Sequence, residues 1–243
     1  MNRKIKNSIR ICLCIIVACL FLTVISQAEG KDKQTKKQSE GKKTKMKETP
    51  EFKYDETSKK YILDTPKFLA EFVPHSFTYT AKGKTETGKP ITFSLKGFYQ
   101  GEEQIGTQEA STRLKDDKKI VIFDRKDYRE LYESRTRGFI QIYIIETLPY
   151  KDRDLKIKAQ LSTEYSLIPN GEEGFSVKDG DKTITVFKQR VATDSQSKKL
   201  PLKTILKDNV LEIIVPNDYL SEAKFPIFIT APQKGGTVST PTE

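Results

Sequence analysis

The sequence predicts an all-β protein: an antiparallel β-sandwich with at most one or two short helices, preceded by a signal peptide and a disordered tether. Three observations carry this. Apolar residues in the body of the chain recur with period two, Gly and Asn/Asp pairs punctuate those runs, and all three cysteines, at 12, 14 and 19, lie ahead of them.

Residues 1–28 read as a signal peptide. Arg3, Lys4, Lys6 and Arg10 precede an apolar run from Ile11 to Ile25, and Ser26-Gln27-Ala28 ends it with small residues where a signal peptidase needs them. The run is shorter than the roughly 20 residues a membrane-spanning helix requires. Cleavage after Ala28 is the first expectation and retention as an uncleaved anchor the second. Lipidation of Cys19 is a third, since Ile16-Val17-Ala18-Cys19 resembles a bacterial lipobox, although Leu20 to Ile25 would then stand where a polar tether is usual. Basic residues ahead of the apolar run orient the rest of the chain outward, so the expected location is secreted or cell surface. A chain cut after Ala28 has neither thiol nor disulfide, and its stability must come from the core.

Residues 29–50 form a Lys-rich linker with a single large apolar residue, Met46, which cannot bury enough surface to offset the entropy of ordering. It is read as a solvated spacer, with a polybasic patch for anionic lipid or wall polymer as the alternative. Its charge matters for the whole chain. The 43 Lys and Arg outnumber the 33 Asp and Glu, a net of +10, which invites a nucleic-acid reading. Four of those charges lie in 1–28 and a net four in 29–50, leaving +2 from Glu51 onward. With no basic stripe interleaved with aromatics in that region, nucleic acid is not an expected partner.

Residues 51–232 are read as the sandwich and 233–243, with Gly235-Gly236 among Ser, Thr and Pro, as a disordered tail. Leu155, Ile157, Ala159 and Leu161 alternate with Lys156, Lys158 and Gln160, and Ile91, Phe93 and Leu95 with Thr92, Ser94 and Lys96. Further strands are expected at 77–81, 119–123, 139–148, 175–177, 183–188, 210–215 and 225–230. Asp179-Gly180 and Asn170-Gly171 supply hairpin turns. Pro226 lacks a donor, which predicts an edge position for the last strand. Lys67 to Val73 fits either a short helix after Thr65-Pro66 or a strand, and Tyr128, Leu131 and Tyr132 place a short helix at 127–134.

The run Val215-Pro216-Asn217-Asp218-Tyr219-Leu220-Ser221-Glu222-Ala223-Lys224-Phe225-Pro226-Ile227-Phe228-Ile229 resembles the closing strands of a β-rich module of large secreted bacterial proteins, where it stands ahead of RHS or YD repeats. Residues 67–74, 91–97, 139–161 and 175–187 are similar to earlier strands of that module in the same order, so the resemblance spans about Tyr61 to Thr230. Here Thr230-Ala231-Pro232 replaces the module's usual Asp-Pro. The resemblance implies a free-standing extracellular sandwich and carries over no catalytic residue.

Few residues offer chemistry. A single His75 and no cysteine after residue 19 deprive zinc sites and Cys or His nucleophile mechanisms of their usual parts, and His75 in Pro74-His75-Ser76 reads as a loop residue. Glu71, Glu102, Glu103, Glu146 and Glu164 could supply the two carboxylates of a glycoside hydrolase, with Phe98-Tyr99 or Tyr143 as stacking platforms in the absence of Trp. Asp152-Arg153-Asp154 and Asp179-Gly180-Asp181 could give oxygens to calcium, but neither has the spacing of a complete loop, and both read as polar turns. No catalytic, cofactor-binding or metal residue is therefore assigned, and no cofactor is expected.

The expected function is that of an exported, non-enzymatic interaction or structural module at the bacterial surface or in the medium. Its expected partner is an extracellular protein or an anionic surface polymer, met by the Lys face of the 154–162 strand or by an edge strand at 225–230. A membrane becomes a partner only if the N-terminal segment is retained or Cys19 is lipidated. The alternatives are a carboxylate-dependent hydrolase of extracellular polysaccharide and an assembly aid or pro-region for a neighbouring secreted protein.

Overall fold

The computed structural model describes residues 48–83, 87–106, 110–136, 138–171 and 174–231. The expected signal peptide at 1–28, the expected linker as far as 47 and the expected tail at 233–243 lie outside the described residues. Along the chain run β1 (Lys53–Asp55), β2 (Lys60–Asp64), β3 (Phe68–Val73), β4 (Ser76–Lys82), β5 (Thr87–Gln100), β6 (Glu103–Ile105), β7 (Ser111–Lys115), β8 (Ile120–Asp124), β9 (Tyr128–Arg135) and β10 (Gly138–Ile145). There follow β11 (Leu155–Ser162), β12 (Ser166–Pro169), β13 (Gly174–Asp179), β14 (Lys182–Lys188), β15 (Val191–Thr193), β16 (Lys199–Pro201), β17 (Lys203–Lys207), β18 (Val210–Val215), the helix α1 (Asn217–Glu222) and β19 (Ile227–Thr230).

These strands form antiparallel sheets, as predicted. Sheet A has the order β1-β2-β3-β4-β5-β11-β18-β17, with β6 also paired to β5; sheet B has the order β16-β15-β19-β10-β9-β8-β7; a small sheet C is β12-β13-β14. The chain lays down most of sheet A as a meander, then the β7 to β10 meander of sheet B. It later crosses between the sheets to add β11, β15, β18 and β19.

The two large sheets meet through aromatic rings, because period-two alternation turns every second side chain of each strand inward. Phe72 of β3 lies 4.7 Å from Tyr132 of β9 and 5.0 Å from Phe139 of β10, centroid to centroid. Phe77 of β4 reaches Phe139 at 5.3 Å, and Phe98 of β5 meets Tyr143 of β10 edge-on at 5.4 Å. Leu155, Ile157, Ala159 and Leu161 of β11 are buried with them, and Ile227 and Ile229 fill the core from β19. Burial holds the Tyr79 phenol up at about 12.

Turn chemistry sets the registers. Asp208 and Asn209, both at positive φ (51° and 61°), close a two-residue hairpin in which Lys207 pairs with Val210, the geometry that matches strand twist. Gly180, at φ 58°, turns β13 into β14 as expected. Gly174 is needed for a different reason: a Cβ there would stand 1.9 Å from the Phe187 carbonyl oxygen of the neighbouring strand.

Two expectations are corrected. Residues 127–134 are strand, not helix: Tyr128, Glu130, Tyr132 and Ser134 all face inward from β9, and that alternation, anchored by pairing to β8 and β10, outweighs the Tyr128/Leu131/Tyr132 spacing. The last strand is not an edge. β19 begins at Ile227, one residue beyond Pro226, so the missing donor falls outside the ladder and β19 pairs with β10 on one side and β15 on the other. The ambiguous Lys67 to Val73 segment is also strand. Thr65 organises its entry, its Oγ1 accepting from the backbone N–H groups of Lys67 and Phe68.

The single helix among the described residues, α1, lies where the sequence placed closing strands. One buried carboxylate fastens its far end. Asp194 accepts hydrogen bonds from the backbone N–H groups of Gln196 and Lys198 (both 2.9 Å) and of Lys224 (3.1 Å), joining the β15–β16 connection to the segment after α1. Burial alone would raise its pKa, but the N–H groups of Lys224, Lys198 and Gln196 outweigh burial and hold it below the ordinary carboxylate range. Asp194→Ala is expected to cost about 1–3 kcal/mol in urea unfolding. Because the folded pKa is depressed, this contribution is complete above the unfolded value near 4 and disappears as pH falls through the lower folded value. Wild type and variant should therefore converge in strong acid, and an undiminished gap there would refute the assignment.

Candidate functional site

The Lys face predicted on β11 widens into a lattice once the strands pair. Residues opposite one another across a ladder share a face. The register aligns Lys203 of β17, Ile214 of β18, Lys156 of β11 and Tyr99 of β5 in one row. The next row is Ile205, Glu212, Lys158 and Gly97, and the third is Lys207, Val210, Gln160 and Ser94. Their neighbours in sequence, Leu155, Ile157, Leu211, Ile213 and Leu95, are buried, so these rows form the outer surface of sheet A.

Four lysines in these rows face one carboxylate. Glu212 is shared between Lys158 (3.7 Å) and Lys156 (3.9 Å), both beyond hydrogen-bond length, and Lys158 also stands 5.0 Å above the Tyr99 ring. Exposed pairs of this kind contribute about 0–1 kcal/mol and neutralise little. Lys203 and Lys207 are exposed and have no ion pair among the described residues. Ile205, 36% exposed, sits between them. Beyond Ser94 the face turns neutral, with Thr78 and Thr92 side by side at 3.0 Å. Gly97 permits the bulge that carries Lys96 out of the β5 ladder: its φ is 146°, and a Cβ would press on Gln104.

A second cluster lies inside the sandwich, and the sequence did not disclose it. Glu130 of β9 and Gln141 of β10 are buried among the core aromatics. Glu130 Oε1 accepts from the Tyr132 hydroxyl (2.6 Å) and from Gln141 Nε2 (2.9 Å). Arg190, between β14 and β15, donates to the Gln141 carbonyl (3.0 Å) and to its Oε1 (2.9 Å). Arg125, in the turn before β9, places Nη1 3.7 Å from Glu130 Oε2. The arrangement holds two buried guanidinium groups around one carboxylate. Burial lowers the Arg190 pKa, and burial followed by the Glu130 charge pushes the Tyr132 phenol well above its ordinary value. The missed signal was parity: Glu130 is in phase with Tyr128 and Tyr132, and Gln141 with Phe139 and Tyr143.

His75 closes one side of this cluster. It occupies the Pro74-His75 turn between β3 and β4 at φ 71°, and Arg125 Nη2 lies 3.0 Å from Nδ1 and 3.3 Å from Nε2. A guanidinium carries only donors, so the ring presents an acceptor to it. This makes His75 a lid on a buried cation as well as a loop residue.

The five candidate glutamates do not converge. Glu71 pairs with Lys60 on the β2–β3 ladder, Glu146 with Arg129 beside β9, and Glu164 with Lys89 at the start of β5, while Glu102 and Glu103 are exposed around the β5–β6 turn. Of the proposed stacking platforms, Phe98 and Tyr143 are core residues; Tyr99 alone is partly exposed, and it belongs to the lysine face. Asp154 accepts from the backbone N–H of Asn217 at the start of α1 (2.9 Å), and Asp179-Gly180-Asp181 is a hairpin turn. Among the described residues no group of three or more His, Cys, Asp or Glu is placed to hold a metal ion, and no helix is long and apolar enough to cross a membrane.

No family model, curated protein or solved structure matches the chain. The outer face of sheet A is four strands wide and carries four lysines, the Tyr99 ring and the aliphatic side chains of Ile205, Ile214 and Val210. Such a surface can hold an anionic partner by many weak, water-exposed charge contacts.

Proposed function

We propose that this chain is an exported, non-enzymatic β-sandwich module that works by binding an anionic partner at the bacterial surface or in the medium. The observation that carries this reading is the row structure of the outer face of sheet A, where Lys156 and Lys158 of β11 and Lys203 and Lys207 of β17 come from two sequence-distant segments onto one surface around the carboxylate of Glu212. The basic, apolar, small-residue pattern of 1–28 supports export. The resemblance to sandwich modules of large secreted proteins agrees with a surface role, as a free-standing copy of such a module. The buried Glu130 cluster is fully covered and is read as internal scaffolding, which favours binding over hydrolysis.

Incubation of the purified chain with bacterial cells, followed by sedimentation, tests this. Wild type is expected to sediment with cells and to be released by salt, and a variant with all four lysines changed to Gln is expected to stay in the supernatant. Hydrolysis of any member of a glycan panel, abolished by one Glu→Gln change, would replace the binding reading with the hydrolase.

A further inference from the structure

We propose that the partner of this face is a linear polyanion with a charge on every backbone unit, lying extended across β17, β18, β11 and β5. The inference rests on the binding reading above and adds the chemical class of the ligand. Lys156 and Lys158 are two residues apart on one strand, hence about 7 Å apart along it, and neighbouring strands lie about 5 Å apart. Lys203 and Lys207 both lie on one side of them, on β17, about 10 Å away across two strand spacings and about 13 Å from each other along the strand. The Lys156–Lys158 spacing is within the Debye length at physiological salt, roughly 8 Å, and the spacings to Lys203 and Lys207 exceed it, so the four ammonium groups meet a partner at separate points.

The shape of the face selects among anionic partners. A compact anion needs a pocket of converging donors, and here the lysines are spread over the outer face of the sheet as point charges without a guanidinium fork. A lipid surface would be met by a cluster of protruding apolar groups, but on this face Ile205, 36% exposed, stands with Ile214 and Val210 only partly exposed. An extended chain with regularly spaced charges fits this spread. Tyr99, beneath Lys158, and the Ile side chains then cover its backbone.

Long-chain inorganic polyphosphate binding to the full chain, measured by fluorescence anisotropy between 50 and 200 mM salt, tests the inference. Counterion release from a flexible polyanion weakens binding with a log–log slope of about −0.7 per neutralised charge, so four lysines contribute about 50-fold weakening over this range. Contributions to the slope add, so the lysines of 29–50 do not obscure the difference between variants. Lys156→Gln/Lys158→Gln is expected to reduce the weakening about sevenfold. Lys115→Gln/Lys126→Gln, which removes equal charge at exposed positions on and beside sheet B, should leave it unchanged. Equal slopes for the two double variants, or no binding by wild type, overturn the inference. If only vesicles containing phosphatidylglycerol are bound, and that binding is lost in the first variant, the face remains a docking surface but the linear polyanion is refuted.

Discussion

Glu130→Ala is expected to destabilise the sandwich by roughly 3–5 kcal/mol, the largest effect of any single polar substitution. The carboxylate is wholly buried, accepts from Tyr132 and Gln141, and faces Arg125. Its removal leaves two guanidinium groups in the interior with no counter-charge and a tyrosine hydroxyl without its acceptor. Breaking one member of a buried charged group costs far more than the group as a whole contributes, because the survivors stay desolvated. Urea unfolding followed by tyrosine fluorescence reads the difference. For a domain of this size the same loss should lower Tm by roughly 10 °C. Glu130→Gln keeps an acceptor near Tyr132 but also leaves the guanidinium groups without a counter-charge, so it should fall between wild type and Ala. A Glu130→Ala protein within about 1 kcal/mol of wild type would show that the cluster relaxes or admits solvent freely.

Phe72→Ala should cost a similar amount, about 3–5 kcal/mol, by a different mechanism. Phe72 is the ring on which the inter-sheet core converges: Phe52 at 5.3 Å, Phe77 at 6.1 Å, Tyr132 at 4.7 Å and Phe139 at 5.0 Å. Its loss removes buried apolar surface, severs edge-to-face contacts between the sheets and leaves a cavity that β3 and β10, pinned in their ladders, cannot collapse. Unfolding midpoints of Phe72→Ala and Glu130→Ala measured singly and together should show non-additivity, since both residues touch Tyr132. Strict additivity would place the aromatic core and the polar cluster in independent regions.

The sandwich and the lysine alternation were legible because they are local. Leu155 to Leu161 and Ile91 to Leu95 declare their inward and outward faces within eight residues, and Asp179-Gly180 declares its own turn. What escaped is what depends on pairing. The lysine lattice exists only because β17 and β18 dock beside β11, which no stretch of sequence states. Residues 127–134 were misread because Leu131, half-buried on the outer face of β9, gave a helical spacing to rings that were in fact alternating. Glu130 and Gln141 were passed over for the same reason: a charged or amide residue at an inward position contradicts hydrophobic pattern reading, and only the partners that satisfy it make the position intelligible. Pro226 misled by a single residue, lying just outside the ladder that it was taken to interrupt.

The placement of β19 has a consequence for the order in which the molecule can be completed. It is the last strand among the described residues, yet it occupies the interior of sheet B, hydrogen-bonded to β10 and β15 at once. Until Ile227 to Thr230 arrives, β10 and β15 have no strand between them, and each shows an unpaired edge toward the gap. A nascent chain cannot close this sheet before Ile227 to Thr230 has emerged, so sheet B is sealed only after every other described strand has been made. Such a design leaves sheet B open during synthesis and closes it in one step when β19 arrives.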